Sequence, residues 1–172
     1  MEFNIEALEI KSITPAYFNE DLILLNTVIK ESHFLARVNE ISYEQSQEFM
    51  DYYLKFPDTI YLIALYEEKL VGHIFALPRV EELISHIVNI GYTVSSEYRN
   101  KGIGSILMQQ LISEMNKRKK VKIMFAEVAS DNIASQNLLR KYNFEEIGRL
   151  NNGFMRKNHT FIDLVYFSKY LQ

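Results

Sequence analysis

Between Val94 and Gly104 the chain passes, without a linker, from one sequence period to another. Ahead of this junction, Ser85 to Val94 alternates with a period of two and is rich in β-branched residues. Behind it, Ser105 to Lys119 carries Ile106, Leu107, Leu111, Ile112 and Met115 at helical spacing. The join itself holds turn-formers, Arg99, Lys101 and two glycines, Gly102 and Gly104. A strand that enters a helix this way leaves the first backbone N–H groups of that helix without internal partners. With the positive end of the helix dipole, those donors suit a phosphate group. Glycine at alternate positions lets an anion approach the backbone, and Arg99 and Lys101 add charge-assisted hydrogen bonds suited to a diphosphate.

Two other phosphate loops do not fit. There is no Gly-x-x-x-x-Gly-Lys-Ser/Thr, and neither the third glycine nor the strand-end acid of a dinucleotide fold is present. Farther on, Asn132-Ile133-Ala134-Ser135 is followed by Leu139-Arg140-Lys141-Tyr142-Asn143-Phe144. Together with Arg99-Asn100-Lys101-Gly102-Ile103-Gly104, this segment resembles the paired motifs of the GNAT superfamily of acyl-CoA N-acyltransferases. The first is similar to the family's Arg/Gln-x-x-Gly-x-Gly/Ala loop for the coenzyme A pyrophosphate. The second is similar to its downstream helix, with Asn at the start and a Lys-x-Gly-Phe-like end. The resemblance covers residues 60 to 170, and the first 60 less closely.

The resemblance implies an α/β fold (α+β by some schemes): a single GNAT-like domain over residues 1–172, its twisted, mixed and mostly antiparallel sheet having about seven strands and about four flanking helices. A central parallel pair, the strand ending at Val94 and the one starting at Lys122, would splay where the cofactor enters. Acetyl-CoA is the implied co-substrate, with no metal. Tyr92, Thr93, Val94, Arg99, Asn100, Lys101, Gly102, Ile103, Gly104, Ser105, Asn132 and Ser135 are the implied cofactor-binding residues. The Val94 N–H would be the oxyanion donor. Asn132-x-x-Ser135 is similar to the branch that includes ribosomal-protein N-terminal acetyltransferases. One departure stands out: many members place a tyrosine five residues before the phenylalanine of that helix, as acid for the thiolate, and here that residue is Leu139. Ser135 or solvent is left to serve, and Tyr142 reads as packed against the sheet. For the base, His86 is the candidate with suitable titration; Asn89, His73, Glu81 and Glu82 are the others.

The implied reaction moves an acetyl group to a primary amine of a small molecule, an amino acid or a peptide N-terminus by direct attack. A chain with no cysteine agrees with a route that needs no covalent nucleophile, and it also lacks disulfides and thiolate metal sites. The alternative is a CoA-binding regulatory or interaction module of the same fold, for which Leu139 is the hint. At 172 residues, 48% of them hydrophobic, with 11 Tyr and 11 Phe, one continuous core is expected. A net charge of −3 gives no basic field for nucleic acid, and Lys117-Arg118-Lys119-Lys120 reads as cations at a helix C-terminus. The N-terminus has no long apolar run, so neither a signal peptide nor a membrane partner is expected and the location is cytoplasmic. A homodimer is compatible with this reading.

The remaining elements follow in order. Leu8 to Ile13 reads as a strand, and Ala16 to Glu31 as a helix with Phe18, Leu22, Leu25, Val28 and Ile29 inward. Ser42, with Gln45 at capping-box spacing, starts a helix that runs to about Lys55. Ile60–Tyr66 and Lys69–Leu77 form a hairpin through Glu67-Glu68. Lys122–Val128, Phe144–Leu150 and His159–Leu171 are strands around a helix at Asp131–Tyr142. Glu31–Ile41 and Asn151–Thr160 would shape the acceptor site and carry no motif.

Overall fold

A computed structural model describes residues 3–172. Leu8–Ser12 (β1) leads through a 3-10 turn at Pro15–Tyr17 into the helix Phe18–Glu31 (α1). Tyr43–Tyr53 (α2) follows, its start fixed by the capping box: Ser42 Oγ accepts from Gln45 N–H at 3.2 Å, and Gln45 Oε1 from Ser42 N–H at 3.1 Å. Ile60–Tyr66 (β2) and Lys69–Pro78 (β3) are joined by Glu67 and Glu68, with φ of 49° and 65°. Positive φ at both central residues is what a two-residue hairpin needs to match the twist of its strands.

Ile87–Val94 (β4) enters Ile103–Asn116 (α3) through the glycine junction, and Ile123–Ala129 (β5) enters Ile133–Lys141 (α4). Glu145–Met155 (β6) and Phe161–Tyr170 (β7) close the sheet. The strand order is β1-β2-β3-β4-β5-β7-β6, antiparallel throughout except for β4 and β5. Seven strands thus form one mixed sheet with a central parallel pair, flanked by four α-helices, as the resemblance implies.

Some boundaries differ from the sequence reading. The α3 helix starts at Ile103 rather than Ser105, because Gly102, at φ 86°, lets the chain turn into the helix there. It ends at Asn116, where Lys117 N–H reaches back only three residues, to Glu114 O at 3.2 Å. Strand β4 starts at Ile87, since Ser85 and His86 lie in a turn. Strand β6 runs past Leu150 to Met155 through an irregularity between Leu150 and Phe154; there Asn152, at φ 56°, donates its N–H to Asp163 Oδ1 at 3.1 Å.

Each face of the sheet has its own core. Residues of even number on β2 and β4, with Val71, Ile74 and Ala76 of β3, pack with α3 and α4; those of odd number on β2, with Leu70 of β3, pack with α1 and α2. On α3, Ile103, Leu107, Met108, Leu111 and Met115 are buried, a gross hydrophobic stabilisation of about 8–15 kcal/mol. Met108 takes the place expected of Ile106 and Ile112, which are only half-buried. On α1 the buried face includes Leu24 in place of Leu25, and one acid, Asp21. Among the described residues, no helix is long and apolar enough to cross a membrane.

Candidate active site

The two central parallel strands touch only briefly. Their paired residues are Ile87, Val88 and Asn89 with Ile123, Met124 and Phe125. Beyond these, β4 follows β3 as far as Val94 and β5 follows β7 as far as Ala129, so the pair splays. The ladder shows which groups this leaves bare. Ser95 N–H donates to Val71 O at 2.9 Å, and Arg79 N–H to Ile87 O at 3.0 Å, so odd residues of β4 turn their polar backbone to β3. His86 O accepts from Lys122 N–H at 2.8 Å, so even residues turn toward β5. The N–H groups of Tyr92 and Val94 therefore face the gap.

The gap opens into a cavity of about 470 Å³, lined by Tyr92, Thr93, Val94, Arg99, Asn100, Gly102, Ile103, Gly104, Ser105, Asn132 and Ser135 among others. Eleven of the twelve cofactor-binding candidates are thus brought together. Lys101 is the exception; its ammonium lies 4.8 Å from the Tyr98 ring centroid and 5.3 Å from that of Phe3. At one end of the cavity the N–H groups of Asn100, Gly102, Ile103 and Gly104 donate to no protein acceptor among the described residues, and neither does that of Lys101 in the same loop. Ser105 differs from its neighbours, since its N–H is turned to Gly102 O at 3.0 Å. Arg99 Nε donates to Val94 O at 3.2 Å, which holds the loop against the strand end. Five free donors at a helix N-terminus match a diphosphate.

The start of α4 supplies the other wall. Asn132 Oδ1 accepts from Ser135 N–H at 3.2 Å, a helix cap. Ser135 Oγ shares a short hydrogen bond with the phenol of Tyr92, which also donates to Ser135 O at 3.3 Å. Burial pushes the Tyr92 phenol up to about 12, against the opposing pull of its bond to Ser135. The phenol is therefore a proton-bearing donor at neutral pH. Leu139 is fully buried in the core, and Tyr142 donates its hydroxyl to Ser105 O at 2.7 Å, tying α4 to α3.

His86 is not brought to the cavity. It sits in the turn before β4, about 26 Å of strand from Val94. His73 is buried with its Nδ1 2.6 Å from Asp21 Oδ1, while Tyr61 donates to Asp21 Oδ2 at 2.7 Å. Burial and the neighbouring carboxylate push the Tyr61 phenol well above its ordinary range. This triad joins α1 to β2 and β3 and lines neither cavity described here. Glu82 lies in a short 3-10 helix outside both.

Glu81 and Asn89 line a second, flanking cavity of about 560 Å³, together with Tyr53, Arg79, Phe125 and Glu127. It shares Ile90 and Glu127 with the gap cavity. Asn89 and Glu127 are exposed although they lie on the two central strands of the sheet. Polar residues left open at the middle of a sheet mark the place where the helix layer stops. Sequence reasoning missed Glu127, Arg79 and the phenol of Tyr92. A signal existed for Glu127: it is the one acid within the apolar strand Ile123–Ala129. No group of three or more His, Asp or Glu among the described residues could hold a metal ion.

Comparison with known proteins agrees with this geometry. The L-amino acid N-acetyltransferase AaaT of Escherichia coli (strain K12) is 26% identical over 108 residues, 63% of this chain and 66% of that relative, just under two thirds of it. The structure of a ribosomal-protein-alanine N-acetyltransferase from Brucella melitensis superposes with a TM-score of 0.87 at 26% identity, covering 95% of this chain and 99% of that one. A phosphinothricin acetyltransferase from Sinorhizobium meliloti, solved in complex with acetyl-CoA, has the same fold (TM-score 0.86, 19% identity, covering 96% of this chain and 89% of that one). The family described as acetyltransferase (GNAT) matches residues 28–144, well over half of the sequence, and this chain belongs to it.

Proposed function

We propose that this chain is an N-acetyltransferase that moves the acetyl group of acetyl-CoA to a primary amine of a small molecule, an amino acid or a peptide N-terminus. The carrying observation is the splayed β4–β5 pair, whose free Tyr92 and Val94 N–H groups lie between a phosphate-suited loop and a second cavity. The residues fit the co-substrate: the diphosphate on the N–H groups of Asn100 to Gly104, and the pantetheine arm along Tyr92, Thr93 and Val94 beside Asn132. The amine enters through the flanking cavity.

A neutral amine nitrogen attacks the thioester carbon, forming the C–N bond and placing negative charge on the carbonyl oxygen. A backbone N–H in the gap, from Val94 or Tyr92, stabilises that charge, an effect of about 3 kcal/mol for one donor. The C–S bond then breaks, leaving the amide and the CoA thiolate. Glu127, at the passage between the cavities, replaces His86 as the group placed to accept the amine's proton, directly or through water. The thiolate has a free pKa of about 8.5. It gains a hydrogen bond from the Tyr92–Ser135 pair and its proton from solvent. The buried Leu139 is then no obstacle, since β4 supplies a phenol beside Ser135 on the same helix.

Spectrophotometric thiol release from acetyl-CoA, run across amino acids, simple amines and short peptides, tests this reading. Release that depends on one amine class is the expected result. No release with any amine would sink it and leave a CoA-binding module.

A further inference from the structure

The flanking cavity carries a narrower statement about the acceptor, one that rests on the acetyl-transfer reading. Three charged side chains line it, Arg79, Glu81 and Glu127, and none of them makes an ion pair among the described residues. Opposite charges that share a hollow without pairing leave room for a ligand that answers both. Arg79 is the more constrained partner. It follows Pro78, its N–H is held by Ile87 O at 3.0 Å, and its guanidinium lies over the Phe125 ring at 5.2 Å. Phe125 in turn stacks on Tyr166, with centroids 5.8 Å apart and planes at 25°. A guanidinium laid on an aromatic face keeps its in-plane N–H groups free, and that fork matches a carboxylate.

We propose that this cavity takes a free α-amino acid with an apolar side chain. Its α-carboxylate binds Arg79, its amino group points to Glu127 and the gap, and its side chain packs on Tyr53, Val80 and Ile84. In an α-amino acid one carbon separates the amine from the carboxylate, so a single small ligand carries both complementary groups. A peptide N-terminus has an amide carbonyl in place of the carboxylate, which leaves the Arg79 charge without a counter-ion. Glu81, exposed at the rim, disfavours acceptors with acidic side chains.

Leucine, leucinamide and the dipeptide Leu-Ala separate the alternatives. Each is titrated calorimetrically into native protein and Arg79→Gln with CoA present, and each is also run in the thiol-release assay. The expected result is leucine binding at least about tenfold tighter than the other two. Arg79→Gln should lower leucine affinity by a similar factor while the KM for acetyl-CoA stays within about twofold. Leucinamide or Leu-Ala binding as well as leucine overturns the proposal, as does Arg79→Gln that keeps full leucine affinity. Leucine binding that depends on Arg79, with no thiol release from any amine, supports this assignment and strikes the transfer reading alone.

Discussion

Gly102 and Tyr92 show what single residues contribute to the site. Gly102 sits at φ 86°, where an added Cβ would meet only Ile5 Cδ1, at 3.4 Å. Space is therefore available, and the cost of a side chain is the left-handed backbone, about 1–2 kcal/mol. In Gly102→Val the loop relaxes and its N–H groups turn from the diphosphate. Affinity for acetyl-CoA should fall at least about tenfold in calorimetry, with a Tm loss of only about 2–8 °C. Unchanged affinity would contradict the assigned phosphate site. Tyr92→Phe should lower kcat at least about tenfold with little change in the KM for acetyl-CoA. Ser135→Ala should cost less, because the phenol remains.

Tyr92 also makes an alkaline prediction. Its native value of about 12 lies above the ordinary value of 10, so the unfolded chain loses this proton first as pH rises. The contribution is complete below pH 10 and is lost as pH climbs through 12, at up to about 1.4 kcal/mol per unit. Tyr61, pushed in the same direction, adds to the loss. Urea melts at pH 8, 10.5 and 11.5 should show stability falling across this window, and less steeply in Tyr92→Phe. Equal slopes in the two proteins would refute the assignment.

At the scale of elements, the cavities exist because helices and strands are tied at a few points. The Asp21–His73–Tyr61 triad fixes α1 on β3, and Lys157, in the β6–β7 turn, donates to Ile29 O at 2.6 Å near the C-terminus of α1. Asp21→Ala removes the partner of two buried groups and should cost about 3–5 kcal/mol, a fall in Tm of about 6–20 °C. A loss below about 0.5 kcal/mol, as at an ordinary surface site, would refute the tie. These ties also mark the limit of what the sequence discloses. The β2–β3 hairpin, the Ser42 cap and the glycine junction are local patterns, each decided within a few residues, and all three are present. Asp21 and His73 stand 52 residues apart, and a periodicity count on α1 passes over an acid as surface. Arg79 reaches Phe125 across β4, and no local pattern encodes that contact. His86 was the natural candidate base by chemistry alone, and only the position of the turn removes it.

At the scale of the whole molecule, the gap cavity joins parts that otherwise meet little. Its lining comes from the end of α1, the splayed strands β4 and β5, the N-terminus of α3 and the first turn of α4. A ligand that spans them binds only the folded arrangement, and so it must raise stability by mass action. At one hundred times its dissociation constant, acetyl-CoA should add about 2.7 kcal/mol, a rise in Tm of about 5–11 °C for a chain of this length. Which part of the ligand produces the rise tests the geometry. With the diphosphate on the N–H groups of Asn100 to Gly104, CoA should give most of the shift. S-Acetylcysteamine, which keeps the thioester but has no diphosphate, should give none at the same concentration. Gly102→Val should cut the shift to about half or less, since a tenfold weaker affinity leaves about 1.4 kcal/mol at that concentration, whereas Arg79→Gln, on the other side of the β4–β5 gap, should keep it. A rise with S-acetylcysteamine equal to that with CoA would mean that the thioester end dominates binding and the loop does not hold the diphosphate.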